Sequence, residues 1–290
     1  MDARRQGGLN GALNRAAREG DVARVERAIA RGGDPGHDHA RPLILACENG
    51  HLAVARYLIE QCGVDADGGG RPSCAAARKG QLAVLIYLVE TCEADPRRHD
   101  DRALTWSAAA GHLDVVKYLV ERCGADPRAR EDYPLALAAG NGHLPAVRYL
   151  CERWQADPWA GEQPAFVRAL SDKTLSVLKY FVEERRADPR GNDEEAIVHA
   201  AMRLQTEALD YLAARIFDPV LWREKSRGEI EAEAQAIVDR FRLLALLPEQ
   251  IKLVGDLVMS AALRTISELP VEEAGRQPQL RVGKSETKPA

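Results

Sequence analysis

Aromatic residues are scarce, at 5% of the 290-residue chain, so bulk in any core has to come from aliphatic side chains, which suits helix packing. The six cysteines, at 47, 62, 74, 92, 123 and 151, form no C-x-x-C pair, which argues against zinc and points to reduced thiols in a cytosolic protein. No apolar run approaches the roughly 18 residues of a membrane span. MDARRQGGLNGALNRAAREG at the N-terminus lacks the apolar core of a signal peptide. Phosphate loops of the G-x-x-x-x-G-K-[ST] or G-x-G-x-x-G type, H-E-x-x-H, G-x-S-x-G and the kinase motifs are missing as well. Neither an enzyme nor a cofactor site is expected. A formal charge of −4 lacks the basic excess of a general nucleic-acid binder. Arg outnumbers Lys by 32 to 8, a bias attributed to a GC-rich genome rather than to an anion site.

What the chain does have is one phrase written repeatedly. GHLAVARYLIEQCGVDAD begins at Gly50, GQLAVLIYLVETCEADPR at Gly80, GHLDVVKYLVERCGADPR at Gly111 and GHLPAVRYLCERWQADPW at Gly142. Worn copies start at Lys173 and Leu204. Tyr57, Tyr87, Tyr118, Tyr149, Tyr180 and Tyr211 step by 30, 31, 31, 31 and 31 residues. Asp34, Asp65, Asp95, Asp126, Asp157, Asp188 and Asp218 keep the same phase. Two markers in step over this length establish an internal repeat, the signature of a solenoid.

Each unit divides in two. Short Ala-rich stretches such as ALTWSAAA (103–110) and PLALAAG (134–140) predict a first helix of about two turns. A glycine then permits positive φ and a reversal. In the next segment Leu113, Val116, Leu119, Val120 and Cys123 fall on one helical stripe. Polar, Pro-containing stretches such as ADPRRHDD (94–101) link the units.

This unit resembles the ankyrin repeat, over about seven units from residue 12 to 219. The Gly-His-Leu turn, the V-V-x-Y-L helix and the G-A-D-P exit carry the resemblance. It implies an all-α-dominated solenoid with short β-hairpin or loop fingers. Residues 1–11 read as a tail and 12–36 as a capping repeat. The opening T-P-L-H of the family is degraded here to RPLI at 41, RPSC at 71, RALT at 102 and YPLA at 133. Trimmed hairpins and irregular sixth and seventh units are therefore expected. By resemblance, His51, His112 and His143 hydrogen-bond backbone across the inter-repeat turns. Cys62, Cys92 and Cys123 read as a column of buried thiols.

The resemblance also implies a non-catalytic module that binds another protein, as a cytoplasmic scaffold or adaptor, without cofactor, metal, nucleic acid or membrane. The candidate surface is the finger tips and the exposed side of the first helices. By register it holds His37, Asp38, Glu48 and Asn49 in the second unit and Asp67, Arg78 and Lys79 in the third. Arg98, His99 and Asp101 follow in the fourth, Arg130, Asp132 and Asn141 in the fifth, Glu162, Gln163 and Asp172 in the sixth. Tyr133 and Trp159 add aromatic anchors, whereas Trp106 is read as core. Arg98, Arg130, Tyr133 and Trp159 are expected to bind the partner without supporting the fold.

After Pro219 the phrase stops. Residues 228–247 and 248–269 predict two helices within a C-terminal extension, 220–269, and 270–290 reads as a disordered tail. The extension reads first as a cap on the solenoid. LLPEQIKLVGDL (246–257) also resembles the F-box-like segments by which some ankyrin proteins contact a ubiquitin-ligase adaptor, and self-association through 228–269 is a third alternative. A ligase-binding tail would suit a secreted effector translocated into a host cell.

Overall fold

The computed structural model describes residues 3–268, apart from 204, 220–221, 223–224 and 244–247. They form two compact units that divide between Asn192 and Asp193. The disordered-tail reading of 270–290 lies outside the described residues.

The first unit is a row of helix pairs. α1 (Ala3–Glu19) pairs with α2 (Val22–Ala30), and α3 (His37–Glu48) with α4 (Leu52–Arg56). α5 (Arg71–Arg78) precedes α6 (Leu82–Ile86), and α7 (Arg98–Ala110) precedes α8 (Leu113–Glu121). α9 (Ala129–Gly140) pairs with α10 (Leu144–Trp154), and a single turn, α11 (Ala165–Arg168), with α12 (Leu175–Lys179). The first helix starts at Ala3, so residues 3–11, expected as a tail, are helical. They are tied down where Gln6 donates to the Gly32 carbonyl at 3.0 Å.

Successive first helices lie side by side, α1 on α3, then α5, α7, α9 and α11. Ala46, Ala76, Ala77, Ala108, Ala138 and Ala139 are fully buried there. Their small side chains let neighbouring helices approach closely, while Leu43, Leu104 and Leu135 fill the remaining space. The second helices, α4 and α6 continued by π-helical turns Tyr57–Gln61 and Tyr87–Thr91, bury Val54, Leu58, Val84, Leu88, Val116, Leu119, Val147 and Leu150. Fully burying each such side chain contributes roughly 1.5–3 kcal/mol.

The periodic markers turn out to be joints. Each turn glycine has positive φ, 77° at Gly50, 70° at Gly80 and 77° at Gly111. A Cβ on Gly20, Gly80 or Gly111 would strike the imidazole of the following repeat, His51, His112 or His143; Gln81 takes that place over Gly50. His51 Nε2 lies 2.8 Å from the Arg18 carbonyl, the cross-turn bond that the resemblance implied. The tyrosines also reach backward. Tyr87, Tyr118, Tyr149 and Tyr180 donate to Glu60, Glu90, Glu121 and Glu152 at 2.9, 3.3, 2.9 and 3.4 Å. The aspartates fold their own turns. Oδ1 of Asp34, Asp65, Asp95, Asp126, Asp157 and Asp188 accepts from the amide two residues on, at 2.8–3.0 Å.

The fingers are loops; among the described residues there is no strand. Each finger turns into its first helix through three successive left-handed residues: Asp38–Ala40, His99–Asp101 and Arg130–Asp132, with φ from 48° to 61°. Gly68, Gly69 and Gly70 make the same turn in the third unit, a backbone that glycine adopts freely. The sixth unit is irregular, as expected. It lacks the Gly-His step, and Ser171 caps the turn Asp172–Thr174 instead.

In the second unit, α13 (Gly191–Met202), α14 (Thr206–Ile216), α15 (Arg227–Leu243) and α16 (Pro248–Glu268) follow in order. Both α14 and α15 pack on α16. The core takes Leu209, Leu212, Ile216, Phe217, Ile230, Ile237, Val254 and Val258. The buried indole of Trp222 donates to the Ile216 carbonyl at 2.6 Å. The repeat phrase runs to 219 in the sequence, whereas packing places the last helix pair with the C-terminal helices.

Left-handed backbone costs an ordinary residue about 1–2 kcal/mol. Asp100 is exposed with φ 56°. Asp100→Gly is expected to raise stability by about 1 kcal/mol in urea denaturation; an unchanged or lower midpoint refutes strain at this turn.

Candidate partner-binding groove

Core positions in α7 are Ala103, Leu104, Ser107 and Ala108, all buried. On a helix of 3.6 residues per turn that stripe leaves Arg102 and Trp106 on the opposite side. Trp106 is 41% exposed and is not core. Its counterparts are Ala75 on α5 and Leu137 on α9, so the large ring stands over smaller neighbours.

Three adjoining hollows of about 380, 380 and 430 Å³ follow this face. The first shares His99, Arg102 and Trp106 with the second, and the second shares Arg130 and Tyr133 with the third. Shared walls make them one groove along α5, α7, α9 and α11. Arg130 lies 4.8 Å over the Tyr133 ring and Arg168 5.7 Å from it.

Of the candidates from sequence, Arg78, His99, Arg130, Tyr133, Asn141, Glu162 and Gln163 line this groove. Asn141 also ties repeats together, donating to the Ala109 carbonyl at 2.7 Å. Lys79 is exposed just past the end of α5. Arg98 pairs with Asp67 at 2.8 Å, a bond within the fingers.

Three candidates require correction. Asp132 is 2% exposed; it pairs with Arg128 at 3.0 Å and accepts from the Asp157 amide at 3.1 Å. Asp101 accepts from the Asp126 amide at 3.1 Å. Both carboxylates hold the start of the next finger, as Asn10 does for Asp34 and Asp67 for Asp95. Trp159 stacks on Phe166 with ring centroids 4.3 Å apart, and Phe166 stacks on Phe181. That tryptophan supports the sixth repeat instead of waiting for a partner. Arg71, Arg102, Trp106 and Arg168 were missed, although spacing them against the buried stripe finds them.

Two of the cysteines are buried and inert. Burial pushes the Cys47 thiol far up and that of Cys151 up to about 12, so neither is a nucleophile at neutral pH. Cys62, Cys92 and Cys123 are half-buried, so the expected column is not fully enclosed. Among the described residues no group of His, Cys, Asp or Glu could hold a metal ion, and no helix is long and apolar enough to cross a membrane.

A row of two-helix repeats with loop fingers and a groove on the first-helix side defines a helical-repeat binding protein. Residues 13–100 and 73–162 match the family model for ankyrin repeats in three copies. The chain belongs to the ankyrin repeat family. The match ends where the sixth unit loses its regular turn. A comparison with curated proteins gives no match. Ankyrin repeats are protein–protein interaction modules.

Two substitutions separate joint from surface. Trp159→Ala is expected to destabilise the first unit by about 2–4 kcal/mol through lost packing, read by denaturant unfolding. Burial raises the Asp101 pKa above the ordinary value, and its Oδ1 has no partner. Its charge therefore weighs against folding above the folded pKa, and that penalty disappears as pH falls below the unfolded value of 3.8. Asp101→Asn keeps an acceptor for the Asp126 amide, as Asn10 does for Asp34. It is expected to raise the melting temperature at pH 7 and to lose that advantage near pH 3.

Proposed function

We propose that the protein is a non-catalytic scaffold or adaptor that takes a protein partner in the groove along α5, α7, α9 and α11. One observation carries this reading: Trp106 stands exposed among arginines in a hollow that continues to Tyr133. Trp, Tyr and Arg are the residues in which interfaces concentrate their energy. The fold gains little from a tryptophan held there, and a partner that covers it gains much. A reducing, cytoplasmic setting suits six free cysteines.

The C-terminal helices are proposed as a cap. Val254, Val258, Ala261 and Ala262 of α16 are buried, and Thr265 donates to the Phe217 carbonyl. The apolar side of α16 is thus largely spent within its own unit. That packing supports a cap, while Leu263 of the same helix stays exposed; the ligase-adaptor motif begins at residues 246 and 247, which lie outside the described residues.

Trp106→Ala is expected to weaken capture of a partner from cell extract at least tenfold, the scale of a central aromatic. Unfolding should shift by no more than about 0.5 kcal/mol, as for an exposed position. Undiminished capture by the variant removes the groove from the interface.

A further inference from the structure

Several guanidinium groups of the first unit are paired with carboxylates: Arg78, at the groove, with Glu48 at 2.7 Å, Arg98 with Asp67, Arg128 with Asp132 and Arg148 with Glu184. Among the described residues no carboxylate pairs with Arg71, Arg102, Arg130 or Arg168, all of which line the groove. Four unpaired cations share one floor with Trp106 and Tyr133.

Spacing limits what can lie there. Arg71 and Arg102 open successive first helices at equivalent places, and packed helices run about 8–10 Å apart. A chain in polyproline-II conformation advances about 3.1 Å per residue with three residues per turn, so every third side chain faces the same way and meets the next arginine. Between Arg102 and Tyr133 the indole of Trp106 offers an apolar seat.

Resting on the groove as the interface, we infer that its occupant is an extended acidic peptide segment of a protein partner. Its carboxylates lie about three residues apart, and one apolar side chain between them sits on Trp106. Two observations narrow the choice. Asp100, Glu131 and Glu162 also line the hollows; they would repel a continuous polyphosphate backbone, whereas a peptide places its charges singly. The chain's own residues 270–290 carry four basic against three acidic side chains, the wrong balance for this floor.

The test uses the full chain as bait for a displayed library of random 12-residue peptides. Enriched peptides are measured by fluorescence anisotropy on the wild type, Trp106→Ala and Arg102→Gln, beside labelled dT12. Expected is an Asp/Glu-rich consensus spaced by three around an apolar residue. Binding should weaken on adding salt and fall about tenfold in Arg102→Gln, the scale of a hydrogen bond to a charged group. A neutral or basic consensus still lost in Trp106→Ala overturns the acidic occupant and leaves the groove standing. Peptides indifferent to both variants overturn both. Tighter binding of dT12, lost in Arg102→Gln, overturns the peptide in favour of a single-stranded nucleic acid. An empty selection refutes a short linear occupant, while the groove itself is judged by the Trp106→Ala capture.

Discussion

A single helix pair of this sequence has two apolar sides and only one partner helix of its own. Everything else in the first unit follows from hiding the second side against a neighbour. The fully buried alanines at 76, 77, 108, 138 and 139 show how this is done on the first helices. Small side chains bring the helices close, and closeness gives the outer surface its character. Residues one repeat apart, such as Arg71, Arg102 and Tyr133, become neighbours although the chain separates them by about thirty positions. The groove is a by-product of the packing, and its chemistry is set by the few positions that packing leaves free.

The same constraint explains why polar residues keep the period as strictly as apolar ones. Loops between helix pairs present amides that need acceptors. The repeat supplies them twice, from an aspartate within the turn and from a carboxylate or amide side chain in the preceding repeat. Asp157 shows both: its Oδ1 accepts from the Trp159 amide, while its own amide donates to Asp132. The tyrosines do for the second helices what the aspartates do for the fingers, each hydroxyl reaching a glutamate one repeat back. Stability is spread through many small joints between adjacent units.

That economy decided what could be read in advance. Repeat number, helix pairing and turn glycines were legible because each depends on neighbours in sequence and recurs. The site was legible only in part, because recurrence hides the roles of single residues. Asp101 and Asp132 look like solvated loop charges until the amides of Asp126 and Asp157 are seen beside them. Trp106 and Trp159 exchange their expected places for a geometric reason. Trp106 sits across from the buried 103, 104, 107 and 108 stripe. Trp159 follows a proline that turns it onto Phe166, a contact no local pattern announces. The expected tail from residue 3 to 11 is helical because Gln6 and Asn10 find partners at Gly32 and Asp34, far along the chain.

The arginines complete the same reasoning at the level of composition. A chain with net charge −4 and a marked preference for Arg over Lys invites the view that its guanidinium groups are interchangeable surface charges. Their placement says otherwise. Some serve the fold, Arg97 through the Gly124 carbonyl and Arg98 and Arg128 through a carboxylate. On the groove floor four have none, and two of them flank a tyrosine whose negative face they share. Like charges gathered on one floor repel one another, and an exposed indole gives up burial. Cations without carboxylates and an exposed indole meet in one hollow, and such a gathering belongs where a surface is kept for something outside the chain.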